Sequence, residues 1–253
     1  MTATDTRPTA PPRRSLLGRE TAMRLASTEY GRYLDQLRSL DVAEWERPTD
    51  CPLWDVRAMA GHCLGMAQFA ASLPTAVRQN AVAGRRGGVF IDALTGLQVE
   101  ERAALSPAQL VARYATVVPR AVRGRRRRSV LAGRLPMPGD QMINEAPERW
   151  TLGYMVETIL TRDTWMHRVD TARATGRDLV LTPQHDGVLV ADVVAEWAGR
   201  HAQPYALVLT GPAGGRWSAG SGGPALESDA VEFCRVLSGR GHGEGLLGVE
   251  VPF

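Results

Sequence analysis

The stretch that decides the fold runs from Thr151 to Gly176 and reads TLGYMVETILTRDTWMHRVDTARATG. Thr151 can cap the start of a helix, and Gly176 can end it in the left-handed conformation that glycine tolerates. Between them apolar residues recur at helical spacing, namely Leu152, Val156, Ile159 and Leu160. The stretch is therefore predicted to be a helix with one buried face.

The buried stripe of this helix continues, one and two turns further on, into Asp163 and His167. Residues four apart share a helix face, so this carboxylate and this imidazole can hold one metal ion. A buried carboxylate without a partner is costly, so a positive group is expected beside Asp163. The alternative is that Asp163 pairs with a nearby arginine and that His167 is an ordinary helix histidine.

A second stretch, WERPTDCPLWDVRAMAGHCLGMAQFA from Trp45 to Ala70, also places a histidine on an apolar face. Asp55 is a plausible helix cap, and four residues share one side of the helix that follows, namely Met59, His62, Met66 and Phe69. Two histidines and one carboxylate leave an open coordination position, as in catalytic zinc sites. The alternative for His62 is a core histidine that bonds a backbone carbonyl.

The W-x-x-P-T-x-C-P-x-W segment with its following His62, and the later H-R-x-D segment that begins at His167, resemble one known family. It is the mycothiol-dependent maleylpyruvate isomerase family, within the DinB-like group of metal-binding four-helix proteins. In that family a histidine on the second helix and an E-x-x-x-H pair on the fourth hold the metal. The resemblance, which runs from about Leu16 to the C-terminus, implies His62, Asp163 and His167 as ligands here. Asp163 departs from the family's usual glutamate by one methylene.

The helical part of the chain is expected to span residues 15–177, after a disordered, proline-rich tail at 1–14. Helices are predicted over Ser15–Leu40, from Asp55 to near Pro74, over Phe90–Leu105 and over Ser106–Arg128. Pro119 should bend or interrupt the last of these. The glycine- and arginine-containing segment Asn80–Gly88 is predicted to be a loop.

The C-terminal part, residues 178–253, has a mixed texture and is expected to form a small α+β domain. Strands are predicted at Leu179–Leu181 and Tyr205–Thr210, the latter pairing with Arg216–Ala219. Helices are predicted at Val188–Arg200 and Asp229–Leu237. The fold class is therefore α+β, with an N-terminal DinB-like four-helix bundle as the resemblance implies.

Composition excludes several classes of protein. The net charge is only +3, from 30 basic and 27 acidic residues among 253, which is too balanced to indicate a nucleic-acid binder. Three cysteines without CxxC spacing predict a reduced compartment, and no run approaches the ~20 apolar residues of a membrane span, so a cytoplasmic location is expected. All basic residues are arginine, which indicates a GC-rich coding sequence, compatible with the actinobacteria that use mycothiol.

The arginine-rich segment from Arg123 to Arg128 could contact nucleic acid, but no aromatic residues interleave with it. Cations also favour a helix C-terminus. A solvated helix face is the preferred interpretation.

The resemblance implies a divalent metal, with zinc expected, and mycothiol as the cofactor thiol. The thiolate would add to the cis double bond of maleylpyruvate, and rotation and elimination would then give fumarylpyruvate. Arg240 is nominated as the catalytic arginine that binds the carboxylate-bearing substrate, because Leu237–Arg240 resembles the arginine-bearing region of the family. Its alternative is a surface arginine that caps a helix. Asp170 could orient His167, or could pair with Arg168 or another arginine.

Two other functions stay open at this level. A mycothiol S-transferase acting on electrophiles, in detoxification or natural-product assembly, would use the same metal and thiol without isomerisation. A non-catalytic metal-binding interaction module would retain the metal but bind no thiol. Neither the electrophile nor the oligomeric state follows from the sequence.

Overall fold

Helices dominate residues 11–175. A computed structural model describes residues 11–253 of the chain. Its helices in this part are α1 (Arg19–Ser39), α2 (Val56–Ala71), α3 (Leu73–Arg86), α4 (Phe90–Glu100), α5 (Pro107–Ala132), α6 (Leu152–Tyr154) and α7 (Leu160–Thr175). A π-helical turn, Met155–Ile159, joins α6 to α7 without a break. Within residues 11–253 no helix combines the length and the apolar character needed to cross a membrane.

The long helices form the expected four-helix bundle. Helix α1 packs against α5 and α7, and α2 packs against the same two helices. Tyr114 of α5 lies edge-on to Tyr30 and Tyr33 of α1, with ring centroids 6.2 and 5.7 Å apart. Such edge-to-face pairs add to the stabilisation that comes from burial. The short helices α3 and α4 pack on the outside of α2.

Helices α2 and α5 lie in close contact at Gly124. A Cβ atom at this position would overlap the carbonyl oxygen of Ala70, so only glycine allows the observed spacing. Helix α5 starts with a capping box between Ser106 and Gln109 and continues past Pro119 to Ala132, without the predicted interruption.

Two predictions for the bundle are wrong. Residues 80–86 are helical, because Ser72 caps α3 and buried Gln79 and Ala83 anchor the helix. The arginine-rich segment is not simply a solvated face, since the Arg125 side chain is fully buried and donates to the carbonyl oxygen of Val156 at 2.7 Å.

The C-terminal part combines a three-stranded sheet with helices, after a short hairpin of β1 (Gln141–Ile143) and β2 (Ala146–Glu148). The elements of this part are α8 (Val188–His201), β3 (Tyr205–Thr210), β4 (Gly215–Ala219), β5 (Ala225–Asp229) and α9 (Ala230–Leu237). The sheet order is β4-β3-β5, with β3 antiparallel to β4 and parallel to β5. The fold class is α+β, as predicted.

The strand predicted at Leu179–Leu181 does not form. The carbonyl oxygen of Val180 accepts instead from the side chains of Arg168 and Arg32, at 3.0 and 3.4 Å. This carbonyl oxygen is therefore satisfied by arginines and not by a neighbouring strand. Strand β5 was not predicted, because its alternating sequence ALESD has few apolar residues.

Helix α7 connects the two parts of the chain. Its Trp165, Met166 and Val169 belong to the apolar core that also contains α8, α9 and the sheet. Arg162, which is 1% exposed, bonds Asp192 at 2.7 Å and Glu196 at 2.8 Å, both on α8. The proposed boundary at residue 177 therefore separates segments that share a core, and it stays a prediction.

The predicted disordered tail lies partly outside the described residues, since residues 1–10 are not described. Arg13 differs from the prediction: its backbone bridges to Trp150, and its guanidinium bonds both carboxylate oxygens of Glu148 at 2.8 Å.

We expect Gly124→Ala to destabilise the protein by roughly 1–3 kcal/mol, because α2 and α5 must move apart to admit a methyl group. Gly31→Ala in α1 is the matched control, since a Cβ there meets no atom within 4 Å. This control should gain up to about 1 kcal/mol from better helix propensity. Urea unfolding with a chelator present measures both, and a Gly124→Ala protein as stable as Gly31→Ala would refute the close-approach argument.

Candidate metal centre

Three of the residues singled out in the sequence meet at one point between α2 and α7. The Asp163 Oδ1 atom lies 3.2 Å from His62 Nε2 and 3.4 Å from His167 Nε2. One ligand-type atom from each residue falls within 4.8 Å of the others. The predicted convergence of two helices on one site is thus found in the geometry.

Local interactions on α2 fix the position of His62. Asp55 caps the helix by accepting from the backbone N–H of Ala58 at 2.7 Å. Gly65, one turn after His62, leaves room for the side chain of Gln98, which a Cβ atom would meet at 2.6 Å. Gln98 Oε1 then lies 2.9 Å from His62 Nδ1.

Gln98 is itself held in one orientation. Its amide nitrogen donates to Gln79 Oε1 at 2.9 Å and lies 2.9 Å from the Met66 sulfur, so its oxygen faces His62. No local sequence pattern indicates this role, because Gln98 comes from α4, a helix predicted without any functional residue. Its position depends on how α4 packs on α2.

His167 is oriented by its own helix and by the C-terminal part of the chain. Its Nδ1 atom lies 3.2 Å from Asp170 Oδ2, one turn further along α7. Arg240 grips the same carboxylate, with Nε 2.9 Å from Oδ1 and Nη2 2.8 Å from Oδ2. Asp170 therefore contacts both His167 and an arginine, while Arg168 pairs with Glu29 instead.

Arg240 lies beside the centre and is not a surface helix cap, since 14% of its side chain is exposed. It reaches His167 through Asp170, and its Nη2 atom lies 3.7 Å from the sulfur of Cys51. Burial lowers the pKa of Arg240, but the charge of Asp170 outweighs burial and raises it.

The hydrogen bonds assign the tautomers of both histidines. Because Gln98 Oε1 and the Asp170 carboxylate are acceptors, the Nδ1 atoms of His62 and His167 carry protons. In the neutral rings both Nε2 lone pairs then point at a carboxylate oxygen of Asp163. Three acceptors facing one another are stable only with a cation between them, either protons or a metal ion.

The pKa values of the metal-free chain also indicate that positive charge is stabilised at this point. Burial alone would raise the pKa of Asp163, but the charges of His62 and His167 outweigh it and hold that pKa well below its usual range. Burial lowers the pKa of His167, yet the Asp163 carboxylate raises it well above the usual value overall. A proton on His167 would therefore compete with a metal ion for the same place.

One atom at the centre is unsatisfied. Asp163 Oδ2 is buried and has no hydrogen-bond partner among the described residues. A buried carboxylate oxygen without a donor is costly, whereas a metal ion would compensate it. The donor set, its outer hydrogen bonds and this orphaned oxygen all fit a divalent cation.

The surroundings leave the centre open on one side. The side chain of Asp163 keeps 17% of its exposure, against 2% for His62. The Trp54 ring packs against both imidazoles, with centroids 5.0 Å from His62 and 5.9 Å from His167. The Cys63 thiol, next to His62 in sequence, is in the core, and burial raises its pKa to about 12, so it is a poor metal ligand.

A second group with metal-ligand chemistry, Glu29, His185 and Asp186, has a different character. Arg168 donates to Glu29 at 2.6 Å and to Asp186 at 2.6 Å, and Arg32 donates to Asp186 at 2.5 Å. These carboxylates already have cations beside them. The group is a buried ion cluster that ties α1 to α7, and it needs no metal.

Comparisons with known proteins agree with this architecture. Two solved structures align with 89% of this chain and 90% of their own: a mycothiol-dependent maleylpyruvate isomerase, with a TM-score of 0.56 and 19% identity, and a variant of it with one histidine replaced by alanine, with a TM-score of 0.53 and 20% identity. At this identity they establish the shared fold.

Among curated proteins, the uncharacterized proteins MT0041 and Rv0036c of Mycobacterium tuberculosis (strains CDC 1551 / Oshkosh and ATCC 25618 / H37Rv) are similar to the chain. Each is 28% identical over 215 residues, which cover 79% of this chain and 78% of the relative. The sequence family described as the mycothiol maleylpyruvate isomerase N-terminal domain matches residues 26–172, more than half of the chain and all three candidate ligands. The chain therefore belongs to the mycothiol maleylpyruvate isomerase N-terminal domain family.

Proposed function

We propose that the chain is a metal-dependent, mycothiol-using enzyme of the maleylpyruvate isomerase type. The observation that carries the proposal is the convergence of two imidazole Nε2 atoms and a carboxylate oxygen on one partly open point. Membership of the family supports the thiol, since the solved relative that shares the fold is a mycothiol-dependent isomerase.

His62, Asp163 and His167 would hold the metal. Two imidazoles and one carboxylate with an open position are a catalytic zinc donor set. Bound there, a divalent ion would lower the pKa of a thiol or a water at the open position. Asp163 supplies the carboxylate despite being shorter than glutamate, because α2 and α7 pack closely enough to bring its Oδ1 atom within 3.4 Å of both rings.

The chain's other residues would orient these ligands and bind the substrate. Asp170 keeps the Nδ1 proton of His167 in place, and Arg240 keeps Asp170 in place. Besides its bonds to Asp170, Arg240 donates from Nη1 to Ser238 Oγ at 3.2 Å, and further N–H groups remain because a guanidinium has five. We propose that these bind a substrate carboxylate and stabilise negative charge that develops beside it.

The isomerisation needs no oxidant and no net loss of atoms. The thiolate sulfur forms a bond to one alkene carbon, and the electron pair of the double bond moves to an enolate. Rotation about the resulting single bond and expulsion of the thiolate restore the alkene in the trans form. An S-transferase would instead leave the thiol on the product.

The purified protein is expected to carry close to one divalent ion per chain. Removing either imidazole, in His62→Ala or His167→Ala, should lower metal content sharply, because two donors cannot replace three. His242→Ala is the matched control, since its side chain is 87% exposed and lies outside the centre. Elemental analysis of the four proteins decides, and equal metal content in all of them would sink the assignment.

Asp163 is expected to act as a ligand through its charge. Asp163→Asn keeps the size but removes the charge, so metal affinity should fall by about tenfold or more. Asp163→Glu restores the family's usual residue and should bind metal at least in part. Competition with a fluorescent chelator measures both affinities. Wild-type affinity in Asp163→Asn would show that the carboxylate has another role.

The thiol is the test of the proposed function. Metal-loaded protein should bind mycothiol more tightly than chelator-treated protein, and binding should release a proton because free thiols are mostly protonated at neutral pH. Calorimetry in buffers of different ionisation enthalpy measures both quantities. In cobalt-substituted protein, mycothiol should add a sulfur-to-cobalt absorption band. No band and equal affinity without metal would favour the interaction module over the enzyme.

A separate experiment, analysis of the product, distinguishes an isomerase from an S-transferase. Incubation of the metal-loaded protein with mycothiol and maleylpyruvate should yield fumarylpyruvate, followed by its absorbance, with the thiol recovered unchanged. A thiol adduct as the stable product would instead identify an S-transferase.

A further inference from the structure

An open cleft of about 650 Å³ lies between α2, α3 and α5, away from the candidate ligands. Gln68 of α2 lines it, six residues after His62, so the two side chains point about 120° apart around the helix axis. A shallower pocket of about 240 Å³ shares Gln68 and extends the cleft along α5. Nothing in the proposed function uses this surface.

The cleft is lined by an excess of positive charge. Its walls carry four arginines from three segments of the chain and a single acid, Glu101. The arginines are Arg78, Arg102, Arg113 and Arg120. Glu101 is paired with Arg78, which donates to its two carboxylate oxygens at 2.6 and 2.9 Å.

Two of the arginines are unpaired. Arg113 and Arg120 are exposed and lie two turns apart on the same face of α5. Within residues 11–253 neither makes a salt bridge, so both guanidinium groups are available to a ligand in the cleft. Guanidinium groups bind carboxylate and phosphate oxygens through paired hydrogen bonds.

Arg102 forms the floor of the cleft and is only 6% exposed. One end of its guanidinium donates to the carbonyl oxygen of Gln98 at 2.7 Å, and the other end bonds Gln68. Its Nε–H group is buried and has no acceptor among the described residues. Glu101 lies 3.5 Å from the Arg102 guanidinium but does not reach Nε. A deeply buried arginine that lines a cleft and keeps an unpaired N–H indicates that the positive charge there is incompletely compensated.

The charges in the cleft also repel one another. Burial lowers the pKa of Arg102, Glu101 opposes this, and the charges of Arg78 and Arg113 lower it further. The N-terminus of α3, capped by Ser72, opens on the same cleft and adds the positive end of a helix dipole. A bound anion would relieve this repulsion.

We propose that the cleft between α2, α3 and α5 is a second binding site, for a small molecule that carries a doubly charged oxyanion group. Arg113 and Arg120 clamp the anion, and Arg102 supplies the buried donor. The shared chemistry is that of a phosphate group or a pair of carboxylates, both of which present several acceptor oxygens to guanidinium forks. The site is separate from the metal centre and does not depend on the proposed reaction.

Calorimetric titration of the metal-loaded protein with inorganic phosphate, and separately with succinate, at constant ionic strength tests the site. At least one probe should bind with a dissociation constant on the order of 1 mM or tighter. The double variant Arg113→Gln/Arg120→Gln should weaken it by about tenfold or more. The control Arg126→Gln/Arg127→Gln removes the same charge from exposed positions of α5 outside the cleft and should bind as wild type does.

The two probes identify the ligand class, because phosphate binding alone indicates a phosphorylated molecule and succinate binding a polycarboxylate. His62→Ala separates the cleft from the metal centre, and phosphate or succinate binding should survive in it. Loss of binding in His62→Ala together with retention in Arg113→Gln/Arg120→Gln would place the anion at the metal and overturn the proposal. Equal weakening by the test and control double variants, or no binding of either probe, would overturn it as well.

Discussion

Helix α7 carries Arg162, Arg168 and Asp170 in the interior, and each must meet an opposite charge there. Arg162 meets Asp192 and Glu196 on α8, and Arg168 meets Glu29 on α1. A buried charge without a partner costs several kcal/mol, which is comparable to the whole free energy of unfolding of a small domain. The pairs therefore fix the rotation and the height of α7 in the bundle. Because Asp163 and His167 lie on α7, this position of the helix places them opposite His62 on α2.

At the candidate metal centre the Asp163 carboxylate has no such arginine partner. The outer atoms of the histidines are satisfied by Gln98 and Asp170, yet the three inner atoms face one another as acceptors. The Glu29 cluster shows what the same residue types look like when they need no metal, since arginines fill the positive role there. The difference is that no arginine among the described residues pairs with Asp163, whereas arginines pair with Glu29 and Asp186. Membership of the family and this electrostatic gap thus support the same interpretation from independent directions.

Two sites share the scaffold of α2 and the helices around it. His62 faces α7, while Gln68 faces the arginine-lined cleft. Gln98 contacts His62, and Arg102, one turn further on, bonds Gln68. The close approach at Gly65 and Gly124 holds these neighbours against α2. A side chain on either glycine would push apart the elements that position the candidate ligands and the cleft. The same helical bundle therefore supports both sets of side chains, and the side chains, not the fold, determine what each could bind.

The sequence by itself determined what depends on local spacing. Apolar periodicity predicted α1, α2, α5 and α7, and the i, i+4 spacing placed Asp163 and His167 on one face. Strand β5, the buried Arg125 and the role of Gln98 were not predicted, and Asn80–Gly88 was wrongly predicted to be a loop. These features depend on contacts between residues far apart in the chain, which no local pattern encodes. Only the tertiary structure could decide which arginines are buried beside an acid and which are left facing an open cleft, because charge compensation depends on distance in space.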